Sequence, residues 1–225
     1  MFDELFRRYK DVWYRPVVRM LGGISPNTVT LTACAFGLGA AVAAWATWYG
    51  FAFGLWLVNR LLDGLDGAIA REGGRQTDFG GYLDILLDFV VYAAIPIGLA
   101  LGQPTVEVLL ALAGLLGSYY INAGSWMYLS AVLEKRALGA RARGEATTVT
   151  MPSGLVGAVM SWFAYALFLL WPAGVSLTFS FFAVAVMVTA GQRLVWAARA
   201  LRTPSPAVME RPSPAGPSNR SPQLQ

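Results

Sequence analysis

Four carboxylates, Asp63, Asp66, Asp84 and Asp88, dominate the chemistry available to this chain, in the stretch DGLDGAIAREGGRQTDFGGYLDILLDF. Each lies inside or beside sequence apolar enough to be buried in lipid, where a lone carboxylate is costly. On a helix, Asp63 and Asp66 are three residues apart and Asp84 and Asp88 four apart, so each pair shares one face. Two such helices facing each other bring four acids to a common point. The nearby cations are Arg71 and Arg75, too few to neutralise them, and an all-oxygen donor set suits hard divalent ions such as Mg²⁺ or Mn²⁺. The stretch reads as a metal site, expected to be binuclear, with the four aspartates as ligands.

The elements that must position these acids are membrane helices. Of the 225 residues, 56% are hydrophobic and 13% charged, a membrane composition. Apolar runs long enough to cross a bilayer, about 20 residues each, occur at 27 to 49, 51 to 70, 80 to 102, 105 to 133, 151 to 171 and 173 to 199. The expected fold is therefore all-α, with six transmembrane helices and no separate soluble domain. A cleavable leader is not expected, because the N-terminus is charged and lacks a short apolar core. Cys34 is the only cysteine, which excludes an intrachain disulfide or a thiolate metal site. Histidine is absent, so acid–base work near neutral pH falls to carboxylates, lysine, tyrosine or metal-bound water.

The net charge of +4 comes from residues placed in alternate connections, which argues for a membrane orientation and against a nucleic-acid partner. Of 17 Lys and Arg, five fall in residues 1 to 21, Arg60, Arg71 and Arg75 flank the second connection, four lie in Lys135 to Arg143, and five in Arg193 to Arg220. The connections near Gly50, Gly102 and Pro172 carry none. Both termini and the loop between the acidic pairs are expected to face the cytoplasm.

Residues 1 to 21 alternate apolar and charged positions at helical spacing, as an interfacial amphipathic helix does. Residues 22 to 200 form the spanning domain. SPNTVT opens the first span, with Ser25 or Asn27 as cap and with Asn27 and Thr30 placed to meet a polar ligand. From 201 to 225, proline with serine and asparagine predicts a disordered tail. Glu72 and Asp78 read as solvated loop charges. Arg193 either snorkels to the cytoplasmic surface or lines the polar cavity.

The acidic stretch resembles the signature of the CDP-alcohol phosphotransferase family: Asp63, Asp66, Gly67, Ala70, Arg71, an eight-residue gap, Gly80, Asp84 and Asp88 match it at every fixed position. SPNTVT is similar to the family's Pro-Asn segment, and the resemblance covers about residues 22 to 200. It implies transfer of a substituted phosphoryl group from a CDP-linked donor to an alcohol with release of CMP. It further implies divalent metal, Mg²⁺ or Mn²⁺, on the four aspartates at the donor's diphosphate, and Asp88 as the base for the acceptor hydroxyl. Asn27, Thr30, Asp66, Gly67, Ala70, Arg71 and Gly80 would hold the CDP moiety. CDP-diacylglycerol is the expected donor, since its chains stay in lipid while its nucleotide needs a polar pocket. The acceptor stays open, with Arg75, Arg141, Arg143 and Arg193 as candidate contacts for an anionic one. The family is commonly homodimeric, and small-residue faces in the first span fit that.

A related enzyme with a different CDP-linked donor is the near alternative. The alternative from another class is a cation or proton transporter, because intramembrane carboxylates often mark ion pathways. Against it, the acids sit in one hairpin near one surface, and no repeated pair of interrupted helices is visible.

Overall fold

The computed structural model describes Val18, residues 23–136 and residues 155–202. The expected interfacial helix, apart from Val18, lies outside the described residues, as do Arg141, Arg143 and the tail from residue 203. The described chain forms α1 (Pro26–Trp45), α2 (Tyr49–Glu72), α3 (Asp78–Gly102), α4 (Val106–Lys135), α5 (Ala158–Leu170), a 3-10 turn (Pro172–Gly174) and α6 (Val175–Ala200). No strand occurs among the described residues.

Local chemistry sets the boundaries. Pro26, with φ already fixed and no N–H to satisfy, starts α1. The expected cap by Ser25 or Asn27 does not form: Ser25 stands at the N-cap position without a side-chain cap bond, and Asn27 is already inside the helix. Thr77 caps α3 instead, its hydroxyl oxygen accepting from the Gly80 N–H at 3.0 Å. Between α2 and α3 the chain reverses through Gly74 at φ 59°, a left-handed conformation that glycine adopts without steric cost.

Four stretches are long and apolar enough to cross a membrane: Pro26–Trp45, Asp78–Gly102, Val106–Lys135 and Pro172–Ala200. α2 has the length, at 24 residues, but carries Arg60, Asp63, Asp66, Arg71 and Glu72, so its composition is no longer that of a simple span. α5 has 13 residues, shorter than the run expected from residue 151. At 1.5 Å per residue it covers about 20 Å of a hydrocarbon layer about 30 Å thick.

α1 packs along both α2 and α3, α4 packs along α6, and α5 touches α2, α3 and α6. α2 and α3 lean on α1 more than on each other, which leaves a gap between the two acidic helices. The close crossings need glycine. A Cβ on Gly98 would run into the Ala41 carbonyl oxygen, and one on Gly37 into the Val91 side chain. One apolar core joins the two halves through Trp56, Val91, Ile95, Tyr165, Phe168, Phe179 and Phe182. Tyr165 ties α5 to α3 by donating to the Tyr92 carbonyl, and its oxygen lies 3.2 Å from the Tyr119 hydroxyl on α4.

Candidate active site

α1, α2 and α3 together line a small pocket. Its walls are Thr30, Ala33 and Cys34 from α1, Asn59 and Asp63 from α2, and Asp84, Leu87, Asp88 and Val91 from α3. Helical spacing explains the grouping, because Asp84, Asp88 and Val91 follow one face of α3, while Asn59 and Asp63 follow one face of α2. The pocket encloses about 180 Å³ including its open mouth. Most of that space is open to the outside, so a nucleotide would need the surrounding surface as well.

Three of the four predicted carboxylates share this wall. Asp66 stands apart from it: it is 4% exposed, faces Thr30, and accepts from the Gly67 N–H with Oδ1. Its Oδ2 is buried without a hydrogen-bond partner. A buried carboxylate oxygen left unpaired is expensive, and a hard cation is the partner that would satisfy it. The donor set thus fits a divalent metal: oxygen only, from two facing helices, with one orphaned oxygen. As the side chains lie, no group of three or more His, Cys, Asp or Glu among the described residues closes around a single point. Asp63 and Asp88 instead bracket a cation.

That cation is Arg60, which corrects the count of charges expected near the acids. Arg60 lies one helical turn before Asp63, and its Nη2 donates to Asp88 Oδ1 at 2.7 Å while Nη1 stands 3.6 Å from Asp63 Oδ2. Sequence reasoning assigned it to the flank of a connection as a topology signal. Its i,i+3 spacing to Asp63 was the available clue.

The other predicted residues fall into three groups. Thr30 is on the pocket wall beside Asp66, whereas Asn27 and Gly80 lie off that wall, about one helical turn from Thr30 and Asp84, with Asn27 Oδ1 3.2 Å from where a Gly80 Cβ would stand. Gly67, Ala70 and Arg71 continue the α2 face toward the turn. The exposed Arg71 guanidinium lies over Gly67, Nη1 being 3.0 Å from a Cβ position there, so it covers the backbone expected to be open. Arg75 is exposed in the turn, with its guanidinium over Gly73, away from the pocket wall.

Arg193 neither snorkels nor lines the pocket. It is 7% exposed, pairs with Asn122 on α4 through Nη1 (2.9 Å to Oδ1), and leaves Nε buried without a partner. One turn along α4 from Asn122, Trp126 meets Phe89, the neighbour of Asp88, with ring centroids 6.3 Å apart. α4 therefore links the Arg193 pair to the acidic helix.

Fold and site together define a helical membrane protein with a small open pocket, carrying three carboxylates among apolar side chains, at the meeting of three helices. The sequence model for CDP-alcohol phosphatidyltransferase matches residues 23–191. The inner membrane protein YnjF of Escherichia coli is 42% identical over 118 residues, 52% of this chain and 55% of that protein, so the match spans about half of that relative's length. The archaetidylinositol phosphate synthase of Pyrococcus horikoshii is 32% identical over 61% of this chain and 72% of its own. Among solved structures, the phosphatidylinositol phosphate synthase of Mycobacterium tuberculosis with CDP-DAG bound superposes with a TM-score of 0.63 at 21% identity, covering 92% of this chain and 99% of its own. The same enzyme with manganese and citrate gives 0.63 at 23% identity, over 89% and 93%. The chain belongs to the CDP-alcohol phosphatidyltransferase family.

Proposed function

We propose that the chain transfers the phosphatidyl group of CDP-diacylglycerol to the hydroxyl of an anionic alcohol and releases CMP, with divalent cation bound at the aspartates. The observation that carries this reading is the meeting of Asp63, Asp84 and Asp88 from two helices on one pocket wall, with the orphaned Oδ2 of Asp66 behind it. Asp63, Asp66, Asp84 and Asp88 would hold Mg²⁺ or Mn²⁺, two ions per site by their charge. Bound cation neutralises the donor's diphosphate and the charge that develops on departing CMP.

The chain's own groups do the rest. Asn27, Thr30 and Gly80 offer polar contacts and clearance for the nucleotide, and Arg71 moves off Gly67 to pair with phosphate. Asp88, with Oδ1 held by Arg60, offers Oδ2 to the acceptor hydroxyl. As the acceptor oxygen bonds to the phosphatidyl phosphorus and the bond to CMP breaks, the hydroxyl proton passes to that carboxylate. Arg193, held by Asn122 with an unpaired Nε, is the contact for an acceptor phosphate, and the inositol phosphate synthases among the relatives support that acceptor class.

Six spans with both termini at the cytoplasm, a domain over 22 to 200 and a homodimer complete the reading. The alternation of basic and charge-free connections supports the spans and their orientation. The test is CMP release by purified protein with CDP-diacylglycerol, comparing inositol phosphate, glycerol 3-phosphate, free inositol and serine with and without chelator. Release that requires Mg²⁺ or Mn²⁺ and one phosphorylated alcohol is expected. Release that survives chelation would remove the metal from the mechanism, and a preference for free inositol or serine would remove Arg193 from acceptor binding. Arg193→Gln should raise KM for the phosphorylated acceptor roughly tenfold or more, the weight of a charge-assisted hydrogen bond, with a smaller effect on the donor.

A further inference from the structure

Arg60 is 2% exposed and sits in the middle of α2, where its side chain does not reach water. A buried guanidinium at that depth is costly unless it is fully engaged, and four groups from two helices engage it. Nε donates to Asn59 Oδ1 at 2.8 Å, and Nη2 donates to Asp88 Oδ1 at 2.7 Å. Nη1 stands 3.6 Å from Asp63 Oδ2 and 3.4 Å from the Tyr92 hydroxyl, whose ring centroid is 5.3 Å from Cζ. These partners are themselves anchored, because Asn59 Nδ2 donates to the Ala33 carbonyl on α1 at 2.8 Å and the Tyr92 carbonyl accepts from Tyr165 on α5. The guanidinium is thus fixed by elements from both halves of the fold, and its charge is presented to the two acids that flank the gap between α2 and α3.

We propose that Arg60 is the internal counter-cation and positioning residue of the acidic site. It holds the Asp88 carboxylate in place and offsets the mutual repulsion of the aspartates before divalent cation arrives, so that the metal-free site survives inside a bilayer. The inference rests on the metal reading above. Its physical content is a trade: Arg60 supplies one positive charge permanently, and bound cation supplies the remainder. When cation is present, the acids are neutralised largely without Arg60. When it is absent, loss of Arg60 leaves them uncompensated in a low-dielectric setting.

This distinguishes a counter-cation from a residue that merely fills space. Melting temperature of the full chain in detergent is measured in chelator and in Mn²⁺ for the wild type, Arg60→Gln, Arg60→Lys, Asp88→Asn and the double variant Arg60→Gln/Asp88→Asn. Arg60→Gln should melt lower in chelator, and the Mn²⁺-induced rise should be about twofold or more that of the wild type, since cation binding stabilises by replacing the missing charge. Arg60→Lys should stay near the wild type in chelator. The double variant should melt above Arg60→Gln in chelator, because one of the uncompensated acids is gone. An equal loss with and without Mn²⁺ would overturn the proposal, as would a double variant no more stable than the single one. If Arg60→Gln does not fold, recovery of folded protein in the double variant supports the counter-cation role, and failure of both overturns it. A wild type that gains no stability from Mn²⁺ and releases CMP in chelator would sink the metal reading first, and this inference with it.

Discussion

Asp88 stands on the pocket wall with one oxygen held by Arg60. Asp88→Asn keeps the size and the contact with the guanidinium while removing the proton acceptor. CMP release should then fall by about 10²–10⁴-fold, the usual weight of a positioned general base, while affinity for CDP-diacylglycerol changes far less. Turnover near the wild-type rate would reassign the base. The meeting of Asp63, Asp84, Asp88 and Thr30 was legible in the sequence because spacing fixes which face a residue occupies, whereas the place of Asp66 off that wall was not. Arg60 was not, because a cation three residues from an acid reads equally as a surface pair or a topology signal. Only packing decides that Asn59 and Tyr92 close around it. The orphaned Oδ2 of Asp66 and the cover of Arg71 over Gly67 are likewise outcomes of rotamers that no linear pattern carries.

At the scale of the helices, the crossing of α1 with α3 is set by backbone contact, with no room for a side chain at Gly98. Gly98→Ala drives a methyl into the Ala41 carbonyl oxygen, and overpacking of this kind costs about 1–3 kcal/mol. A clear drop in melting temperature is expected, whereas Gly114→Ala, where a Cβ meets open space, should be neutral or mildly stabilising. Apolar runs located the six described helices to within a few residues at most ends, since length and hydropathy fix where a span can lie. The exceptions have physical causes. α1 stops at Trp45, and the chain then passes through Thr47 at φ 62°, a turn that an uninterrupted apolar run conceals. α5 begins at Ala158, after an opening in which Val156 and Leu155 give their N–H groups to Thr189 and Gln192 of α6. Those are tertiary bonds, and hydropathy does not see them.

For the molecule as a whole, Trp45, Trp48 and Trp171 are exposed and cluster in sequence at the charge-free connections, as interfacial aromatics do. In the proposed orientation, with the termini at the cytoplasm, these connections would face the opposite side. The single native cysteine, Cys34, is buried, so introduced cysteines report cleanly. Gly50→Cys, at a position with open space, should react with a membrane-impermeant maleimide in intact cells, and Gln76→Cys should react only after the membrane is opened. The reverse pattern would invert the topology.

The gap left because α2 and α3 rest on α1 also bears on how the donor of the proposed reaction would reach the pocket. In the proposed reaction the donor's acyl chains stay in hydrocarbon, so a diacyl donor would arrive along the plane of the bilayer without entering water. The encounter is then two-dimensional, and the relevant donor quantity is its mole fraction in the lipid or micelle phase. Adding inert detergent at constant bulk CDP-diacylglycerol should slow turnover, and holding the mole fraction constant while diluting the whole suspension should leave the rate per enzyme unchanged.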